Sequence, residues 1–252
     1  MYGIISGLNE FYRYRIQTPS FNVLQKIKFL ITKLGIQGEV MVDIGCGDGT
    51  VTKQLAESIG AKEVFGIDIS ERSLDIARSK GIKTLKLDIN HETLPFPDNT
   101  IDVVTGIEII EHLVNPDNFY KESYRILKDN GYLILSTPNL ASWLNRLLLL
   151  LGYTPAFYEV SLRFKLGKPF RSMEEILKEE GAPAGHLRLY TLKALTQHLS
   201  IYKFSVINVA GASVYGGRMV SYMDKFFEKI PSLASDIIII AKKTSKLLSM
   251  DT

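Results

Sequence analysis

The run Val42-Asp43-Ile44-Gly45-Cys46-Gly47-Asp48-Gly49 constrains this chain more than any other feature. Three glycines alternate over five positions, directly after the apolar run Val40–Ile44. A helical pattern, Val51–Ile59, follows and is closed by Gly60. A strand that empties into a glycine turn and then a helix is the opening of a nucleotide-binding α/β unit. The spacing is G-x-G-x-G, not the G-x-G-x-x-G of a dinucleotide site. Asp43 and Asp48 add negative charge where a pyrophosphate would be repelled. A ligand with a cationic amino acid end suits the loop better.

The pattern then repeats. Glu63–Ile67 reads as a strand that delivers Asp68, and Ser70 caps a helix running to Ser79. Lys83–Leu87 reads as a third strand that delivers Asp88. Ile101–Thr105 and Tyr132–Thr137 follow as strands, with a helix over Pro116–Leu127 between them. Alternating short apolar strands and helices predict an α/β fold, a mostly parallel sheet with helices on both faces. Upstream, the apolar spacing of Ser20–Lys33 predicts an amphipathic helix. Downstream of Pro138, helices are expected over Ser172–Glu180, Thr191–Leu199 and within Tyr215–Ile230. Phe204–Val209 and Asp236–Ala241 are the remaining strand candidates.

Asp68 and Asp88 stand at the carboxyl ends of their strands, where open α/β sheets bind ligands. There Asp68 can accept from two ribose hydroxyls and Asp88 from an adenine amino group. A cationic adenosine carrying an amino acid satisfies all these carboxylates, and S-adenosylmethionine is that molecule. On these residues, 40–138 resemble a class I S-adenosylmethionine-dependent methyltransferase. The resemblance implies a Rossmann-like sheet of seven strands, with the last, Asp236–Ala241, antiparallel. It implies that the backbone of Gly45, Cys46, Gly47 and Gly49 surrounds the methionine part, with Asp43 also a cofactor-binding residue. It places Asp68 on the ribose, Ile69 on the adenine face, and Asp88 with Ile89 at the adenine edge. Residues 1–38 would form an N-terminal helical cap and 39–252 the methyltransferase domain. Within that domain, 39–138 would be the cofactor half and about 140–190 a lid or acceptor insertion.

Glu108, Glu111 and His112 follow the fourth strand; on a helix they would share one face. Two carboxylates and an imidazole suit a divalent cation such as Mg²⁺ or Mn²⁺. The pattern is similar to that of small-RNA 2′-O-methyltransferases and ubiquinone-biosynthesis O-methyltransferases. In the former a later histidine completes the site, and His186 is the matching residue. Without a metal, His112 is the first candidate for general base and His186 the second, with Glu111 beside them. Many enzymes of this class carry Glu-His here with no metal at all.

The insertion holds an apolar block, Leu147–Leu151, with no charge between Leu147 and Tyr158. It is too short to span a bilayer. A core helix, a lid over the acceptor, and an interfacial anchor with Arg163, Lys165, Lys168 and Arg171 as its basic complement compete for it.

The net charge of +3 hides three unequal parts. Residues 1–38 carry +4, residues 39–138 carry −7, and residues 139–252 carry +6. The acidic middle coincides with the expected cofactor half, and the basic flanks favour an anionic acceptor or surface. One cysteine excludes a disulfide scaffold and a thiolate metal site, and Met1–Glu10 has no signal-peptide pattern, so a cytoplasmic protein is expected. The leading expectation is methyl transfer to a small-molecule acceptor, apolar or anionic, such as a quinone or lipid precursor, with peripheral membrane contact as an accessory. An RNA acceptor is the competitor. Its basic residues are scattered, no added RNA-binding module is visible, and Arg13, Arg15 and Lys26 with nearby aromatics are its main support. A cofactor-binding, non-catalytic partner subunit is the alternative from another class.

Overall fold

The apolar runs become one seven-stranded sheet in the computed structural model, which describes residues 20–161, 163–170, 172–178, 185–216 and 218–244. The strands are β1 (Val40–Ile44), β2 (Glu63–Asp68), β3 (Lys83–Lys86), β4 (Ile101–Ile107), β5 (Leu127–Pro138), β6 (Phe204–Ala212) and β7 (Asp236–Lys243). Their order is β3-β2-β1-β4-β5-β7-β6. The pairs among β1 to β5 are parallel, and β7 runs antiparallel to both β5 and β6. The chain reverses direction across the sheet between β1 and β4, so the loops after these two strands flank a crevice at their carboxyl ends.

The helices are α1 (Phe21–Leu34), α2 (Thr50–Ile59), α3 (Glu71–Ser79), α4 (Pro116–Ile126), α5 (Trp143–Leu150), α6 (Met173–Lys178), α7 (Leu192–Ile201) and α8 (Arg218–Phe227). Side-chain caps start five of these helices, among them the expected Ser70. The Ser20, Ser70, Asn115, Ser142 and Thr191 side chains each accept a backbone N–H from the first turn of α1, α3, α4, α5 and α7. Gly35, in the left-handed conformation, ends α1.

Two cores cover the two faces. Phe119 and Tyr120 of α4 and Leu195 and Leu199 of α7 pack on one, with Val42, Val104, Leu133 and Ile239. Val23, Ile27 and Ile31 of α1 and Leu55 and Ile59 of α2 pack on the other, with Met41, Val103, Ile238 and Ile240. The described part of the N-terminal region, 20–38, is thus a layer of the sheet's own core. Arg13, Arg15, Arg171 and Met1–Glu10 lie outside the described residues.

The insertion leaves and returns at one point. Asn139 bridges Tyr190, and Leu140 N–H donates to the Tyr190 carbonyl at 2.8 Å. The described residues between them form an excursion rooted at the end of β5. Its helix α5 buries only Asn145 and Leu148 and exposes Leu147, Leu149 and Leu150.

Two differences from the sequence reading exceed a shift of a few residues at an element's end. Strand β5 begins at Leu127, five residues before Tyr132, because Ile101 pairs with Leu127 across an irregularity before the regular register resumes at Val103. The helix expected over 108–112 is a single 3-10 turn, Ile110–His112, entered through Glu108 with φ 53°. That left-handed residue breaks the helical run and separates Glu108 from the Glu111 face.

Candidate active site

The loop is built from strand to helix. Gly45 and Cys46 N–H groups both donate to the Ile67 carbonyl, at 2.8 and 3.0 Å, which ties the turn to the end of β2. Gly45 has φ 82°, and a Cβ there would stand 2.8 Å from the Ile109 side chain, so only glycine fits. Gly47 also has positive φ, 52°, yet a Cβ would meet nothing within 4 Å. Its backbone faces open space, as a ligand cradle requires.

The aspartates divide by role. Asp43 is buried, and its two oxygens accept from the Thr52 and Thr105 hydroxyls, each at 2.5 Å. It fastens α2 and β4 to β1 beneath the loop. Buried in this position, Asp43 supports the cradle from beneath. Burial pushes its carboxyl up to about 6, although the two hydroxyls oppose that. Asp48 lies over Lys80 at 2.9 Å and accepts from Thr50 N–H. Burial opposes its ionisation, but these partners hold it below the usual carboxylate range. Cys46 is buried, and desolvation raises its thiol far above the ordinary value, so it is no nucleophile.

Asp68 stands at the end of β2 and accepts Gly47 N–H at 2.9 Å and Ser70 N–H at 2.8 Å. Burial raises its carboxyl, and those N–H groups counter the rise. Each oxygen keeps a second lone pair for a hydroxyl. Half-buried Ile69 follows it. Asp88 accepts from Asn90 N and Nδ2 at 3.0 and 2.8 Å, and Ile89 beside it is buried.

Across the crevice, Glu111, His112 and His186 come together. One potential ligand atom from each lies within 4.8 Å of the others, and the two imidazole rings are 4.9 Å apart. The backbone fixes both rings. His112 Nδ1 is 3.2 Å from the Gly185 carbonyl, and His186 Nδ1 is 3.0 Å from the Phe157 carbonyl. A carbonyl only accepts, so each Nδ1 carries the proton and each Nε2 the lone pair. Burial first, and the neighbouring His186 second, lowers His112 to about 3, and burial also lowers His186. Glu111 Oε2 accepts from Thr137 at 2.9 Å. Its Oε1 is buried without a hydrogen bond and lies 3.7 Å from His112 Nε2. Burial, and then the charge of Glu108, drives the Glu111 carboxyl well above the carboxylate range. One oriented carboxylate and two imidazole lone pairs, each ring anchored through its other nitrogen, form a donor set suited to a divalent cation.

Glu108 is not in that set. It accepts from Ser136 Oγ at 2.5 Å and shares a hydrogen bond with Asp236, the first residue of β7. Burial raises both carboxyls. Sequence reasoning missed Asp236, although an Asp opening an otherwise apolar strand is the same signal that marked Asp68. It also missed Glu159, whose Oε2 accepts Gly185 N–H at 2.6 Å and His186 N–H at 3.0 Å and so holds the His186 turn.

Strand order, glycine cradle and strand-end carboxylates together define the architecture of the class I methyltransferases. Comparison with known proteins agrees: residues 42–135 match the family described as methyltransferase domain. The chain is 30% identical over 140 residues to the ubiquinone biosynthesis O-methyltransferase of Pelagibacter ubique, covering 54% of this chain and 58% of that one. It is 33% identical over 99 residues to a probable S-adenosylmethionine-dependent methyltransferase of Mycobacterium tuberculosis, covering 39% and 35%. The chain thus spans less than two thirds of either relative. A solved S-adenosylmethionine-dependent methyltransferase from Methanosarcina mazei shares the fold, with TM-score 0.59, 21% identity, and coverage of 86% and 98%.

Proposed function

We propose that this protein transfers the methyl group of S-adenosylmethionine to a small apolar acceptor. The observation that carries this reading is the pairing of an open glycine cradle with the Glu111–His112–His186 cluster, both at the carboxyl end of one sheet. The Gly45–Gly49 backbone would hold the amino acid end, Asp68 the ribose, and Ile69, Asp88 and Ile89 the adenine. When bound, the donor supplies a methyl on a positively charged sulfur, already activated for displacement, so the protein's task is positioning and desolvation.

The chain's own groups serve the acceptor. Where no cation is held, His112, kept neutral by burial, would take a hydroxyl proton at Nε2. Phe157 stacks on Tyr215 and meets the His186 ring edge-on, giving the cluster an aromatic wall. Glu111, His112 and His186 would hold a divalent cation, whose charge would relieve the buried carboxyl and acidify an acceptor hydroxyl. The ubiquinone-pathway relative supports a quinone-like acceptor. The scattered basic residues offer no matching support for RNA. A cytoplasmic setting, expected from the single cysteine, belongs to the same proposal.

Calorimetry with S-adenosylmethionine and with Mn²⁺ tests both halves. Asp68→Ala should weaken cofactor binding by about 100-fold, the worth of two hydrogen bonds to a buried carboxylate. Glu111→Gln should abolish Mn²⁺ binding and leave cofactor binding intact. Unchanged cofactor affinity in Asp68→Ala would overturn the assignment, and full turnover in EDTA would remove the metal.

A further inference from the structure

Helix α8 turns the wrong face outward for a soluble helix. Asp224 is buried, and Val220, Ser221, Phe227 and Glu228 are half-buried against the body. The outward stripe is Met219, Tyr222, Met223 and Phe226, which lie three, four and seven residues on from the first and so share one helix face. Met219 is 80% exposed, Tyr222 73% and Phe226 60%. Nothing among the described residues covers this stripe.

The stripe adjoins a second apolar surface. Trp143, the first residue of α5, stacks on Phe227 at 5.5 Å and donates its indole N–H to Asp224 at 2.9 Å. This locks α5 to α8. On α5, Leu147, Leu149 and Leu150 are exposed, with Leu150 82% exposed, and Leu151 after it is exposed as well. The charges around both helices have one sign. The exposed charged side chains described on α5, on α8 and in the turn after it are Arg146, Lys225 and Lys229. The acidic residues there point inward: Asp224 accepts from Trp143, Val214 and Tyr215, and Glu228 pairs with Lys26 at 3.4 Å.

We propose that the α5–α8 surface docks on an anionic lipid bilayer. Exposed leucine, methionine and aromatic side chains ringed by lysine and arginine are what an interfacial helix presents to a membrane. A second copy of the chain would bring like charges together, whereas anionic headgroups neutralise them. No described helix is long and apolar enough to cross a membrane, so the contact is peripheral. The surface reaches the acceptor side of the crevice through Tyr215, which contacts Ser142 at the start of α5 and stacks on Phe157 beside His186. An acceptor dissolved in lipid would meet the cluster from this side. Docking itself requires no assumption about the reaction.

Co-sedimentation with vesicles tests the proposal without any activity assay. The full chain should pellet with vesicles of equal parts phosphatidylcholine and phosphatidylglycerol, and much less with phosphatidylcholine alone. Tyr222→Glu with Phe226→Glu should weaken pelleting by at least about tenfold, and Leu150→Glu on the other helix should also weaken it. Lys225→Glu with Lys229→Glu should weaken it in a salt-dependent manner. All these side chains are exposed, and each variant is checked for an unchanged melting temperature. Equal pelleting of wild type and variants would overturn the proposal. So would a wild-type dimer in sedimentation velocity that Tyr222→Glu with Phe226→Glu converts to monomer, since a second copy would then occupy the surface.

Discussion

Asp43 turns the cradle's foundation into a measurable pH dependence. Its carboxyl is wholly buried between two threonine hydroxyls, and burial raises it from the ordinary 3.8 to about 6. A carboxyl raised in the folded state favours the protonated folded form. Its contribution to stability is complete below pH 3.8 and is lost as pH rises through about 6. At 1.36 kcal/mol per pH unit, the displacement costs the folded protein about 3 kcal/mol at neutral pH. About 2 kcal/mol of that falls between pH 4.5 and pH 7.5. Asp43→Asn keeps the shape and removes the titration. Its altered hydrogen bonds to Thr52 and Thr105 carry a cost that does not change with pH. Urea unfolding followed by circular dichroism gives the stability difference between variant and wild type. That difference should move in the variant's favour by about 2 kcal/mol from pH 4.5 to pH 7.5. A difference constant across this range would refute the reasoning, because Asp43 would then titrate as an ordinary exposed aspartate.

Gly45→Ala meets both an adverse backbone conformation and the Ile109 side chain at 2.8 Å, and should lower stability by about 2 kcal/mol or more, read by thermal melting. Phe119→Ala empties a site with no solvent exposure in the core under α4, and should cost about 3–5 kcal/mol in urea unfolding. In protein stripped of metal, His112 titrates near 3, so its ring resonances should stay constant from pH 8 down to pH 5 by NMR. Because that value is depressed, His112 withdraws stability as pH falls from 6.5 toward 3.

The framework was legible because its signals are local. Val40–Ile44, its glycine turn and the aspartates ending β2 and following β3 sit within about fifty residues, and strand period, cap and turn chemistry each act over a few positions. The same locality explains the misses. Glu108 enters the left-handed region where a helix was expected, and its hydroxyl partner Ser136 lies on the neighbouring strand. Asp236 joins Glu108 only because β7 inserts between β5 and β6, a pairing no window of sequence contains. Asp43 was recognised as part of the loop, but its role beneath it follows from Thr105, brought alongside by β4. His186 was found through the resemblance. What sets its geometry is the Asn139–Tyr190 bridge, which returns the insertion to the crevice, and the Glu159 carboxylate, which holds the turn.

The central claim is methyl transfer to a small apolar molecule. Its most direct test incubates the protein and S-adenosylmethionine carrying a labelled methyl with a cell extract, then separates lipid, water-soluble small-molecule and RNA fractions. The account predicts label in the lipid fraction, lost in Asp68→Ala and sharply reduced in His112→Ala. Label in the RNA fraction would contradict it, and so would tight cofactor binding with no label in any fraction, the behaviour of a non-catalytic partner subunit.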